Sequence, residues 1–199
     1  MIRQPLLLTS GISDLLGIPE QQFFRRSEES TAAGILADKA LAMIGAPETF
    51  SRNGHGLPVW PAGFNGSISH CQGEAAVAVR QGQPLGIDME KISRVTDKIF
   101  DRIAVPAEKA AAAVYADTAL FRATLFCCKE ACWKLLQHFE CGSPGWREIT
   151  VRHLGQNRLA AYSCNIDMHG VYLLHKDMLI VIMEKKNEGT FPDPSWIAQ

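Results

Sequence analysis

The sequence has no apolar run long enough to cross a bilayer. The early run Leu6-Leu7-Leu8 is short and preceded by Arg3 and Pro5, which argues against a secretion signal. There is no basic excess: the formal charge is −1 and the isoelectric point about 6.6, so a nucleic-acid surface is not expected. No Gly-x-Ser-x-Gly elbow is present, and the adjacent Ser69 and His70 would point apart on a strand, which excludes a serine-hydrolase reading of that pair. The six cysteines, Cys71, Cys127, Cys128, Cys132, Cys141 and Cys164, include no Cys-x-x-Cys pair. They read as packing thiols of a reducing compartment. A soft-metal site from Cys128 and Cys132 with His70 or Cys71 is the weaker alternative. The expected location is the cytoplasm, with neither membrane nor nucleic acid as partner.

What the chain does have is enough apolar content, 47% of 199 residues, for one real core or two small lobes. From Asp117 to Phe139 no proline or glycine interrupts an apolar periodicity of three and four carried by Leu120, Thr124, Cys128, Ala131 and Leu135. This predicts a helix with one buried face. Glu130 and Lys134, four apart, share a different face, where an ion pair is the plain reading. Val77, Val79 and Leu85-Gly86-Ile87 predict a hairpin through Gln81-Gly82-Gln83-Pro84, extended by Asp88 and Glu90. Strand alternation aims those two carboxylates one way and Met89 the other. Two close carboxylates repel unless a cation or a proton lies between them, and a hard metal such as Mg²⁺ resolves the repulsion.

Elsewhere, Ile18 to Ala46 reads as a helix stopped by Gly45 and Pro47. Thr49 to Gly66 is a loop holding Arg52, His55 and Trp60-Pro61; guanidinium recognises phosphate bidentately, so such a loop suits a phosphate pocket. Ile68 and Ala75 to Val79 read as strands, with His70 on the turn between them. A short helix is expected within Lys91–Ile103, and another from Pro106 and Glu108 to Val114. After the break at Gly142-Ser143-Pro144-Gly145, four runs from Ile149 to Met183 predict an antiparallel sheet with turns at Gly155-Gln156-Asn157, Met168-His169-Gly170 and His175-Lys176-Asp177. The tail from Asn187 shows no periodicity, which fits a mobile end. Pattern alone supports an α+β class.

Three stretches in this order carry a resemblance: Trp60-Pro61 with Gly66-Ser67-Ile68-Ser69-His70, then Gly86-Ile87-Asp88-Met89-Glu90, then Phe126-Cys127-Cys128-Lys129-Glu130-Ala131-Cys132-Trp133-Lys134. Together they resemble the 4′-phosphopantetheinyl transferases, in particular the short bacterial branch of the enterobactin-synthetase and surfactin-synthetase type. The chain departs from that pattern at Cys127-Cys128, where a Ser-Ala pair is usual. It departs again in the N-terminal helix, where an expected arginine is missing and Asp38 stands near a commonly basic position.

The resemblance implies a fold and a chemistry. The fold is a pseudo-twofold pair of lobes, residues 1–86 and 87–199, each an antiparallel sheet with a long helix, with coenzyme A in the cleft between them. Asp88, Glu90 and Glu130 hold Mg²⁺, or Mn²⁺ in its place. Arg52 and His70 hold the 3′-phosphate of coenzyme A, and Ser69, Lys129 and Lys134 complete its site. Glu130 and Lys134 act in catalysis. The implied reaction moves 4′-phosphopantetheine to a serine of an apo acyl or peptidyl carrier protein and releases 3′,5′-ADP, in siderophore, polyketide or nonribosomal-peptide synthesis, by a monomer. Arg94, Lys98 and Arg102 offer positive charge to an acidic carrier. The alternatives are a Mg²⁺-dependent phosphohydrolase and a non-catalytic carrier-binding module.

Overall fold

The computed structural model describes residues 4–20, 24–54 and 56–187. They form two compact units, the first running to Leu85 and the second beginning at Gly86. His55 and the tail beyond Asn187, for which mobility was expected, lie outside the described residues.

The first unit contains β1 (Leu6–Gly11), α1 (Ile12–Leu16), α2 (Arg26–Met43), the two-residue strands β2 (Ser51–Arg52) and β3 (Pro58–Val59), then β4 (Phe64–Cys71) and β5 (Glu74–Gln81). Its main sheet has the order β1-β5-β4, antiparallel throughout, with Val77 of β5 opposite both Leu8 and Ile68. Helix α2 lays Ala32, Leu36, Ala37, Ala40 and Leu41 on Ala75, Val77 and Val79. The small alanines let helix and sheet approach closely, and the apolar area removed from water drives that contact.

The helix expected from Ile18 starts at Arg26 instead. The Glu28 carboxylate accepts the Arg25 N–H at 2.7 Å, so the first turn is satisfied from there and not from Pro19. His70, expected on a turn, lies within β4, and the turn falls at Gln72-Gly73, both at positive φ. The hairpin expected through Gln81-Gly82-Gln83-Pro84 does not form: β5 is the middle strand, both its edges are taken by β1 and β4, and the following strand joins the other sheet.

The second unit contains β6 (Leu85–Lys91), a 3₁₀ turn at Ile92–Arg94, α3 (Asp97–Ile103), α4 (Pro106–Ala112), α5 (Thr118–Leu136), and the strands β7 (Thr150–Gly155), β8 (Arg158–Ser163), β9 (Ile166–His175) and β10 (Met178–Lys185). The sheet order is β6-β10-β9-β8-β7. Helix α5 begins where the Asp117 carboxylate accepts the Leu120 N–H at 2.9 Å. As its periodicity predicts, it buries Thr124, Cys128, Ala131 and Leu135, packed with Leu179, Val181 and Met183 of β10.

One predicted turn is displaced. Met168-His169-Gly170 lies inside β9, and the chain reverses at Cys164-Asn165, at φ 53° and 60°. Gly170 is small for packing rather than for turning: a Cβ there would stand 2.0 Å from the Ile182 carbonyl oxygen. Each unit is an antiparallel sheet with one long helix against it, the α+β class expected. Among the described residues no helix is long and apolar enough to cross a membrane.

Candidate active site

The site is built on one close approach. Gly86 near the start of β6 packs so tightly on α5 that a Cβ would stand 1.9 Å from the Ala131 carbonyl oxygen. No side chain fits there, which is the physical reason for glycine ahead of Ile87 and Asp88. The contact fixes β6 along the helix. Asp88, two residues further, then meets Lys134 one helical turn beyond Glu130. The Lys134 ammonium donates to Asp88 Oδ1 at 2.9 Å and to the Ile87 carbonyl at 2.9 Å. Asp88 is 7% exposed, so this pair sits where Coulomb attraction is stronger than at the surface.

Glu130 shares this environment. Its carboxyl is pushed up from the ordinary 4.5 to about 7, chiefly by burial and then by Asp88 and Glu90, against the opposing pull of Lys134. The same two carboxylates reach Cys127. Burial raises that thiol well above its ordinary value, and Asp88 and Glu90 add to the shift. Asp88, Glu90, Glu130 and Lys134 therefore lie within electrostatic reach of one another in the second unit, as the ordered motifs suggest.

Among the described residues, however, no three His, Cys, Asp or Glu side chains are gathered as a metal site. Cations already stand at two of the carboxylates: Lys134 at Asp88, and Arg94 at Glu90 Oε1, 3.2 Å away. Glu90 also accepts its neighbour's backbone N–H, from Lys91, at 2.8 Å. The donor chemistry, three carboxylates with one carrying a raised pKa, still fits a hard divalent ion. Arg94, expected to face a carrier, pairs with Glu90 while its side chain stays half exposed.

Lys129 departs from expectation. It is 0% exposed, and its ammonium contacts the Glu108 carboxylate at 2.9 Å and donates to the carbonyls of Ile103 (3.0 Å) and Trp146 (2.9 Å). Burial lowers its pKa, and Glu108 resists that. A side chain with all three donors spent inside the fold is a structural pin rather than a phosphate holder. Its partner Glu108 also accepts the N–H groups of Val105 (2.8 Å) and Val151 (2.9 Å). One carboxylate thus ties the α3–α4 corner, α5 and β7 together. Sequence reasoning missed Glu108, because Pro106-x-Glu108 signals only a helix start.

Arg52, Ser69 and His70 belong to the first unit. The Arg52 guanidinium lies 5.1 Å over the Phe50 ring and donates to the carbonyls of Gly56 (2.8 Å) and Ser30 (3.4 Å). Ser69 is buried, and His70 Nδ1 stands 3.5 Å from Glu29 Oε2. Trp60 explains the glycine of Gly66-Ser67, since a Cβ on Gly66 would stand 2.6 Å from the indole. Asp38 accepts the Phe50 N–H at 2.7 Å and so holds the start of the Arg52 loop against α2.

Comparison with known proteins finds two family matches. Residues 18–80 match the 4′-phosphopantetheinyl transferase N-terminal domain, and residues 84–178 match the 4′-phosphopantetheinyl transferase superfamily. The chain is 30% identical over 135 residues to 4′-phosphopantetheinyl transferase Npt of Nocardia iowensis, covering 66% of this chain and 56% of that protein. It is 32% identical over 136 residues to PptT of Mycobacterium tuberculosis, with the same coverage. Over a shorter stretch of 53 residues it is 53% identical to enterobactin synthase component D of Escherichia coli, covering 26% of this chain and 25% of that one. The chain thus spans about half the length of the first two relatives. A solved structure of Helicobacter pylori holo-[acyl-carrier-protein] synthase, in complex with coenzyme A, overlaps 51% of this chain and 99% of its own at 20% identity and a TM-score of 0.42.

Proposed function

Because the chain belongs to the 4′-phosphopantetheinyl transferase superfamily, we propose that it transfers the 4′-phosphopantetheine of coenzyme A to a serine of an apo acyl or peptidyl carrier protein and releases 3′,5′-ADP. The observation that carries this reading is the joining of Glu130 and Lys134 on α5 to Asp88 and Glu90 on β6, with Glu130 held at about 7. A carboxyl with that value is suited to take a proton near neutral pH.

In the reaction the serine hydroxyl attacks the phosphorus that bears the pantetheine, and the bond from that phosphorus to the bridging oxygen of the ADP half breaks. Glu130 accepts the hydroxyl proton. Lys134 places positive charge beside the group that becomes more negative. Asp88, Glu90 and Glu130 are the residues that would hold Mg²⁺ or Mn²⁺, which when bound neutralises charge on the phosphate oxygens. Arg52, Ser69 and His70 of the first unit are proposed for the coenzyme A side of the site. Guanidinium and imidazole chemistry at Arg52 and His70 suits its 3′-phosphate. A monomeric, cytoplasmic enzyme of secondary metabolism serving a synthetase carrier is the context we favour.

The test mixes the protein with coenzyme A, Mg²⁺ and several apo-carriers, followed by mass spectrometry of the carriers. At least one is expected to gain phosphopantetheine. Glu130→Ala should reduce the rate by about 10²–10⁴-fold, the range for loss of a positioned general base. A folded Glu130→Ala protein that modified carrier at a near-normal rate would remove the assignment.

A further inference from the structure

Outside the candidate site, two thiols from distant parts of the second unit are brought together. Cys141 lies beyond the end of α5, and Cys164 occupies the turn between β8 and β9. Both are free cysteines, Cys164 exposed and Cys141 partly so, whereas Cys71, Cys127, Cys128 and Cys132 are buried. The Cys164 thiol donates to the Cys141 carbonyl at 3.5 Å, and the Cys141 thiol donates to the Leu136 carbonyl at 3.4 Å. The two line one surface depression of about 350 Å³ with Ser143, Pro144, Glu148 and Ser163.

A second observation concerns the backbone. Cys164 has φ 53° and Asn165 φ 60°, the two left-handed positions of a two-residue hairpin turn. Asparagine and glycine are at home there, whereas a cysteine is not. The chain places a thiol at a conformationally unfavourable position, in contact with the backbone of a second cysteine that lines the same depression.

We propose that Cys141 and Cys164 form a peroxide-oxidisable dithiol that closes to an intramolecular disulfide and fastens the segment following α5 to the β8–β9 turn. Peroxide oxidises the exposed Cys164 thiol to a sulfenic acid and is reduced to water. The Cys141 sulfur then attacks the Cys164 sulfur, forming the S–S bond and expelling the hydroxyl with the Cys141 proton as a second water. Cys141 acts as the resolving partner because burial, and then the Cys164 thiol, raise its pKa, which leaves first oxidation to the more accessible sulfur.

The reduced, full-length protein is treated with a small excess of hydrogen peroxide under native conditions, then denatured and alkylated. The expected result is loss of two of the six alkylatable thiols and a cross-linked peptide joining Cys141 to Cys164. The melting temperature should rise by about 5–10 °C, reversed by dithiothreitol, since the bridge closes a loop of some two dozen residues. Cys141→Ser and Cys164→Ser should each abolish both the cross-link and the shift. The proposal is overturned if both thiols stay alkylatable after such treatment. It is equally overturned if Cys164 stops at sulfinic acid while Cys141 stays reduced, or if the cross-link joins other cysteines.

Discussion

Replacing Lys129 with methionine separates two roles that the sequence motif leaves merged. The lysine is fully buried, and Glu108 is 3% exposed. The change removes the ammonium 2.9 Å from Glu108 and leaves the carbonyls of Ile103 and Trp146 without their donor. Removing one member of a buried pair costs about 3–5 kcal/mol, because the other charge stays buried. The Val105 and Val151 amides still serve the carboxylate, which places Lys129→Met near 4 kcal/mol, a large share of the roughly 5–15 kcal/mol that holds a domain folded. The midpoint of thermal unfolding should then fall by roughly 8–16 °C. The double variant Lys129→Met, Glu108→Gln removes the stranded charge and should recover about 2 kcal/mol, a coupling read from a double-mutant cycle in urea. Coenzyme A titrated into the folded fraction of Lys129→Met should bind within a factor of about three of the parent, a free-energy change well under 1 kcal/mol. The opposite pattern, full stability with coenzyme A affinity lost by about tenfold or more, would mean that Lys129 serves the ligand and that the pin is misread.

Other predictions are more local. Gly86→Ala must move β6 away from Ala131, whose carbonyl oxygen would stand 1.9 Å from the new methyl group; a loss of about 3 kcal/mol or more is expected in urea unfolding, and a loss below about 0.5 kcal/mol would contradict the packing. Glu130 takes its proton near pH 7 when folded, against an ordinary 4.5. The folded chain therefore holds more protons in that window, and stability falls as pH rises through it. Glu130→Gln should gain more in melting temperature at about pH 8 than at about pH 5; equal gains at both would show that the carboxyl is not shifted. His153 behaves oppositely. Half-buried and stacked 4.8 Å from Phe121, it is pushed down from 6.5 to about 4, so the unfolded chain holds more protons between those values and stability falls as pH drops through them. His153→Phe should flatten that acid limb in pH-dependent melts, and an unchanged limb would place the sensitivity elsewhere.

Much of this was legible from residues in order. The spacing of apolar side chains along 117–139 is local information, because a helix repeats it every turn, and α5 with its buried Thr124, Cys128 and Ala131 follows. The spacing of Glu130 and Lys134, and the alternation that joins Asp88 to Glu90, are equally local. Strand partners were not. Whether β6 pairs with β5 or β10 depends on which edges are free once β1 has taken one side of β5, and no residue near the Gln81–Pro84 turn records that. The turn at Cys164-Asn165 was hidden for a related reason: Gly170 looked like a turn residue, but its missing side chain makes room for the strand opposite.

The sequence by itself determined the helix, the order of the acidic motifs and the α+β class, since each depends on neighbours within a few positions. Only the tertiary structure decided that Lys129 looks inward to Glu108 and Lys134 to Asp88, though both lie on one helix within five residues. A lysine's role is set by the charge at the end of its side chain, and those charges arrive from segments 21 and 46 residues away. Which of them comes within reach is settled by packing, through contacts as close as that of Gly86 on Ala131.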